Sequence, residues 1–440
     1  MIRTLAAFFS KIVRRWLPDA FLFAAILTFI VFTLGIFLEG QSPISMVKYW
    51  GEGFWKLLAF AMQMVLVLVT GHTLAKTTVV ESILKSIAGL AKNPSQAIMV
   101  TTFVALVACW INWGFGLIVG ALLAREMVKK VKGIHYGLLV ASAYTGFIIW
   151  HAGLSASIPL KVADAKGFMA EITGGVQVPV SETIFSWYSL LICLILLVTL
   201  PLINKMMMPK SEDVVEADPA LFEEVAVPIV KKEDMTPAEK MENSVVISML
   251  IGLLGFSYII YYFATGGKLG LNSVNMIFLF AGIVLHKTPA NYLRAVNDAI
   301  KNTGGIVLQF PLYAGLMGMM VHSGLAGSIS HWFVEVSTVT TFPFFTFLSA
   351  GIVNFFVPSG GGQWAVQGPI IMPAAQELGV PLGKAAMAIA WGDAWTNMIQ
   401  PFWALPLLGI AGLTIRDIMG YCTVALIWGG LVTSVVLMFM

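Results

Sequence analysis

Apolar residues run in blocks long enough to cross a bilayer: Phe21–Leu38, Phe54–Leu74, Gly137–Trp150 with an extension through Leu160, Ile184–Leu202, Val245–Phe263 and Ile418–Met440. A helix rises about 1.5 Å per residue, so about 20 such residues span a hydrocarbon core of about 30 Å. Shorter runs at Val274–Leu285 and Gly304–Val321 extend the series. Ten-residue stretches of alternating polarity are absent, which disfavours a β-barrel. The pattern predicts an all-α polytopic membrane protein.

Two blocks cannot be simple crossings. Basic residues cluster at Arg3–Arg15, at Lys76, Lys85 and Lys92, at Arg125–Lys132 and at Lys205–Lys210, and short cytoplasmic loops collect such charge. The uncharged segment Asn93–Ala124 therefore has both ends inside, yet it is too short for two full crossings and a turn. A re-entrant helical hairpin over about 93–124 fits, with its tip at Asn112-Trp113-Gly114-Phe115-Gly116. The segment Val336–Gln376 is also uncharged, and the wider stretch Ala326–Gly383 has no Lys or Arg, which puts its flanks outside. A second hairpin over about 336–376 enters from the opposite face, broken at Pro358-Ser359-Gly360-Gly361-Gly362, where three glycines after a proline are expected to stop the helix. Residues 209–243, rich in Glu, Asp, Lys and Pro, read as a solvated cytoplasmic linker between membrane repeats at 1–208 and 244–440. With Val245–Phe263 as an extra span, the second repeat is inverted, the N-terminus is cytoplasmic and the C-terminus is outside. The segment Met1–Trp16 reads as a basic interfacial helix rather than a cleaved leader.

Polar interruptions repeat at a constant interval. Asn112, His151, Ser155 and Pro159 recur as Asn354, Asp393, Asn397 and Pro401. The stretches Trp150–Pro159 and Trp391–Pro401 combine glycine, proline and hydroxyl or amide side chains, and predict two unwound membrane helices. Freed carbonyls and side-chain oxygens suit a small hard cation. The candidate cation ligands are Asn112, Ser155, Ser157, Asn354, Asp393, Thr396 and Asn397. The candidate substrate groups lie at the tips: Asn112, Trp113, Gly114, Gly116, Ser359, Gly360, Gly361, Gly362, Gln363 and Trp364. Helix N-termini and glycine N–H groups there can hold an anion. His151 and Asp393 are ionisable at membrane depth and are candidate proton carriers. No Lys or Arg lies within either hairpin or unwound element, so the site favours a monocarboxylate over larger anions.

Composition narrows the class. Of 440 residues 58% are hydrophobic and 11% charged, well below the roughly 25% of an average soluble domain. The net charge of +3 forms no basic patch, so nucleic acid is not an expected partner. Cys109, Cys193 and Cys422 lack metal or disulfide spacing, and no transition-metal site is expected. Zinc-protease, nucleophile-elbow and phosphate-loop motifs are absent, which argues against an enzyme, and internal repetition argues against a channel built from rings of identical chains.

Asn-Trp-Gly-Phe-Gly at Asn112–Gly116, Val-Pro-Ser-Gly-Gly-Gly-Gln-Trp at Val357–Trp364, Gln-Pro-Phe-Trp-Ala-Leu-Pro at Gln400–Pro406 and Arg-Asp-Ile-Met-Gly-Tyr-Cys at Arg416–Cys422 resemble the short-chain fatty acid transporters of the AtoE type. The resemblance covers almost the whole chain. It implies a bacterial inner-membrane carrier for short monocarboxylates such as butyrate or acetoacetate, and kinship with the ion transporter superfamily, whose members have opposed hairpins, usually form homodimers and often move as elevators. A lone carboxylate entering a cell that is negative inside works against about 2.3 kcal/mol per 100 mV, so a coupling cation is expected. Oxygen ligands favour Na+, with H+ coupling or uncoupled movement through the same site as the alternative.

Overall fold

The structure, a computed structural model, describes residues 2–16, 20–163, 176–222, 235–267, 271–301, 303–358 and 360–439. Every regular element among them is helical. The helices are α1 (Ile2–Trp16), α2 (Ala20–Phe37), α3 (Pro43–Gly53), α4 (Leu58–Ala75), α5 (Thr78–Ala88), α6 (Pro94–Ile111), α7 (Trp113–Lys130), α8 (Tyr136–Thr145), α9 (Ser157–Val162) and α10 (Trp187–Met206). After the linker come α11 (Pro237–Glu242), α12 (Val245–Ala264), α13 (Leu271–Leu285), α14 (Pro289–Ile300), α15 (Gly304–Ser323), α16 (Leu325–Glu335), α17 (Phe342–Phe356), α18 (Gly360–Leu378), α19 (Leu382–Thr396), α20 (Pro401–Ala411) and α21 (Ile415–Phe439). Among the described residues, five stretches could each cross a membrane by length and apolarity, or up to seven if two bent pairs each count as one span.

The order of elements from α2 to α10 recurs from α13 to α21. Each copy has a long helix bent onto a short amphipathic one, by 76° between α4 and α5 and by 68° between α15 and α16. Each then has two helices folded back on each other, a broken helix and a final long helix. The packing is reciprocal: α2 and α3 lie on α15, while α13 and α14 lie on α4.

The fold-backs are antiparallel. Along α6 and α7, Gly116 rests on the backbone of Cys109, Gly120 faces Ala105, and Gly133 just beyond α7 comes back to Pro94. Asn112, in extended conformation, ends α6 and caps α7 by accepting the Phe115 N–H at 2.9 Å. Along α17 and α18, the Gln363 amide donates to the Ala350 carbonyl at 2.8 Å and that of Gln367 to Ser349 Oγ at 3.0 Å. Here the sequence expectation needs correcting. Gly360-Gly361-Gly362 do not stop a helix but form the first turn of α18. First-turn N–H groups need no partner within the helix, so the described residues of the break are Val357 and Pro358.

Two further observations concern the periphery. One face of helix α1 packs on the fold: Ala6 is fully buried and Ser10 packs on Gly420 of α21. The linker is tied down over its first part, where Val215 accepts the Tyr136 N–H at 2.9 Å, Glu216 accepts the Gly133 N–H at 2.6 Å and Leu221 accepts from Arg125 at 2.9 Å. Linker residues 223–234 lie outside the described residues.

Candidate substrate and cation site

Both helices expected to unwind do so. After α8 the chain tightens into a 3₁₀ turn at Gly146–Ala152, extends at Gly153 and Ala156, and restarts as α9. After α19 a 3₁₀ turn at Asn397–Ile399 leads to extended Gln400 and to Pro401 at the first position of α20. Pro401 lacks an N–H and disfavours helix in the residue before it, so the break falls at Gln400. Glycines bring each broken helix onto the first arm of its own folded pair. A Cβ at Gly146 would sit 2.6 Å from Ala105 Cβ, and one at Gly392 would sit 2.6 Å from Ala350 Cβ.

The two breaks meet at the centre. His151 Nδ1 lies 2.8 Å from Asp393 Oδ2, with relative exposures of 0% and 1%. The Trp150 indole N–H donates to Asn397 Oδ1 at 2.8 Å, and the Tyr144 hydroxyl to the Asn397 carbonyl at 2.6 Å. The Trp150 ring stacks on His151 at 4.0 Å. Asn397 Nδ2 donates to Gln400 Oε1 at 3.2 Å, and the Gln400 amide donates to the Asn354 carbonyl.

Each tip docks on the break of its own half. The Trp113 N–H donates to Ser155 Oγ at 3.0 Å, and the Leu154 N–H to the Trp110 carbonyl at 2.8 Å. In the second half, Asn354 Nδ2 donates to the Asp393 carbonyl at 2.8 Å and to Thr396 Oγ1 at 2.9 Å. The second tip also crosses to the first break. A Cβ at Gly360 would fall 2.6 Å from His151 Cε1 and 3.2 Å from Ser157 Cβ, and one at Gly361 would run into the Lys161 ammonium.

The hydrogen bonds fix the protonation pattern. His151 Nε2 accepts the Ile158 N–H at 3.1 Å, so the ring proton is on Nδ1 and is donated to Asp393 Oδ2. Asp393 Oδ1, Asn354 Oδ1, Gln363 Oε1, the Trp364 indole N–H and Asn112 Nδ2 are buried without a hydrogen-bond partner. Orphaned buried polar atoms of both kinds, in a wall of tryptophans, suit an amphiphilic anion and a small cation.

The structure thus brings together Asn112, Trp113, Ser155 and Ser157 from the first half and Asn354, Gly360, Asp393, Thr396 and Asn397 from the second. Gly114 and Gly116 lie in the first turn of α7, where Gly116 serves the fold-back. Gly361 stands at Lys161, and Gly362, Gln363 and Trp364 continue the first turns of α18, with Gln363 and Trp364 fully buried. Ser359 lies outside the described residues. Three groups were missed by sequence reasoning. Lys161 sits two residues beyond the expected break, so the view that no cation approaches the site is corrected. Trp150 and Gln400 lie inside the expected breaks but were not among the candidates, and their polar atoms at apolar depth were the available signal.

Comparison with known proteins agrees. The family model described as short chain fatty acid transporter matches residues 1–440. A relative from Escherichia coli (strain K12), named as a candidate short-chain fatty acid transporter, is 49% identical over 434 residues, covering 98% of each chain. One from Haemophilus influenzae, so named as well, is 47% identical over 437 residues, covering 97% of each. The solved Alcanivorax borkumensis YdaH transporter aligns with 95% of this chain and 98% of its own at 15% identity, with a TM-score of 0.47, too low to carry an argument. The full-length match and these two relatives establish that the chain belongs to the short-chain fatty acid transporter family, a family of multi-pass membrane carriers and not of enzymes.

Proposed function

We propose that this protein carries short-chain monocarboxylates such as butyrate or acetoacetate across the bacterial inner membrane together with Na+. The observation that carries the proposal is the meeting of the two breaks at the buried His151–Asp393 pair, with the second tip against His151 and the first tip on Ser155 of the first break. An ionised carboxylate so far from water costs several kcal/mol unless a mobile cation is its counterpart.

In this reading the halves are inverted repeats, with α12 as the added crossing that turns the second copy over. The folded pairs are re-entrant hairpins. The uncharged part of α7 ends at Ala124, about 12 residues from the tip, or about 18 Å against a core of about 30 Å. Asn112 therefore sits at hydrocarbon depth, where non-helical backbone is tolerated because protein surrounds it. The N-terminus is cytoplasmic and the C-terminus external, two copies pair as the family resemblance implies, and the site changes sides by an elevator motion.

The substrate carboxylate lies between the Lys161 ammonium and the first-turn N–H groups of α18, and the apolar tail lies along tryptophans that include Trp113. A single ammonium is a point charge without a guanidinium's bidentate fork, which suits one carboxylate rather than two or three. The His151–Asp393 hydrogen bond favours a second reading, in which a proton on that pair replaces Na+.

Labelled butyrate uptake into proteoliposomes, with Na+ and pH gradients imposed separately, tests both. Concentrative uptake driven by inward Na+ alone is expected. Uptake driven by the pH gradient alone selects the proton, and no uptake under either gradient contradicts the proposal.

A further inference from the structure

Asn112 and Asn354 match in the sequence repeat, one between α6 and α7 and the other in the last turn of α17, yet their amides face opposite ways. Asn112 Oδ1 accepts the Phe115 N–H at 2.9 Å, which commits its oxygen and leaves Nδ2, a donor, buried and unpartnered. Asn354 Nδ2 is committed to the Asp393 carbonyl at 2.8 Å, which can only accept, so the unpartnered atom is Oδ1, an acceptor. The asymmetry extends one layer inward. The first-half residue that matches Asp393 is His151, a hydrogen-bond donor to it, and Asp393 Oδ1 is itself unpartnered at 1% exposure. Ser155 Oγ already accepts the Trp113 N–H at 3.0 Å, and Asn397 Oδ1 already accepts the Trp150 N–H at 2.8 Å.

We infer that the duplicated half-sites have divided their labour: one Na+ binds per chain, at Asp393 Oδ1 and Asn354 Oδ1 in the second half, while the first tip serves the anion through Asn112 Nδ2. A spare donor repels a cation, so the Asn112 amide cannot ligate Na+ as the matching Asn354 amide can, and it adds one more donor to the Lys161 and α18 N–H contacts of the carboxylate. One formal negative charge and one amide oxygen make a hard oxygen site for a small monovalent ion. One cation per carboxylate makes a transport cycle electroneutral. The inference rests on the Na+-coupled reading above and adds its stoichiometry and place.

Equilibrium binding of radioactive Na+ to purified full-length protein, with and without butyrate, tests it. One Na+ per chain is expected for wild type, and one for Asn112→Ala and Ser155→Ala. Asp393→Asn and Asn354→Ala should lose it, each being checked as a folded particle by size exclusion. Two Na+ per chain, or Na+ retained by folded Asp393→Asn, overturns the inference. Wild-type flux in proteoliposomes gives a check free of variants. A Na+ to butyrate ratio of one, unchanged by a K+ diffusion potential, supports the inference, and a ratio of two that responds to potential overturns it. Butyrate uptake with no Na+ binding would remove the site and leave the carboxylate carrier standing. One bound Na+ without butyrate uptake would do the reverse.

Discussion

Lys161 is the residue whose role depends most on three-dimensional neighbours. In the sequence it trails an apolar stretch and reads as a lysine at a helix end. In the fold its ammonium reaches Gly361 at the tip of the other half. Replacing it with Met keeps the aliphatic stem and removes the charge. The expected outcome is a rise in KM for butyrate of about tenfold or more, equivalent to about 1.4 kcal/mol, with the folded yield unchanged. Lys161→Arg should recover part of it. Kinetics of initial uptake would check both, and an unchanged KM in Lys161→Met would remove Lys161 from the substrate site. At this scale the sequence showed which residues were polar at apolar depth but not which partners they had. His151 and Asp393 were legible as matching positions, whereas their direct hydrogen bond comes from the crossing of two breaks distant in sequence.

The breaks themselves were legible, because proline and clustered glycine have local consequences that need no tertiary partner. The glycine run at the second tip was misread for the same reason: a local rule sees three flexible residues, while the fold uses them as a first turn that needs no side chain. Close approach explains why. Gly153 lies against the Trp110 backbone, with Trp110 Cα 2.9 Å from where a Cβ would be, and this contact seats the first break beneath its tip. Gly153→Ala should therefore cost about 1–3 kcal/mol by overpacking and lower the melting temperature of detergent-solubilised protein, with transport falling in parallel. Gly361→Ala should behave differently. Its Cβ would meet the end of a flexible lysine, so melting should change little while butyrate KM rises. Equal losses of stability in both variants would contradict the distinction between a seating glycine and a site glycine.

The molecule as a whole is two copies of one element order, packed reciprocally, with α12 between them. Hydropathy and charge lead to the expectation of two repeats, because basic clusters mark one side of a membrane. Reciprocal packing was invisible, since no local pattern says that α4 meets α13 and α14. An odd added crossing predicts that the ends face opposite sides: a periplasmic reporter such as alkaline phosphatase fused after Met440 should be active in intact cells, and the same reporter placed in the 209–243 linker should be inactive. The central claim is that the two breaks enclose a water-reachable substrate site. Ser157→Cys, partly exposed and beside Gly360, tests it most directly once Cys193 is replaced by Ser. The account predicts that a membrane-impermeant maleimide labels this cysteine in proteoliposomes and that butyrate slows the labelling at concentrations that saturate uptake. Labelling at a rate indifferent to butyrate, or no labelling from either side of the membrane, would contradict it.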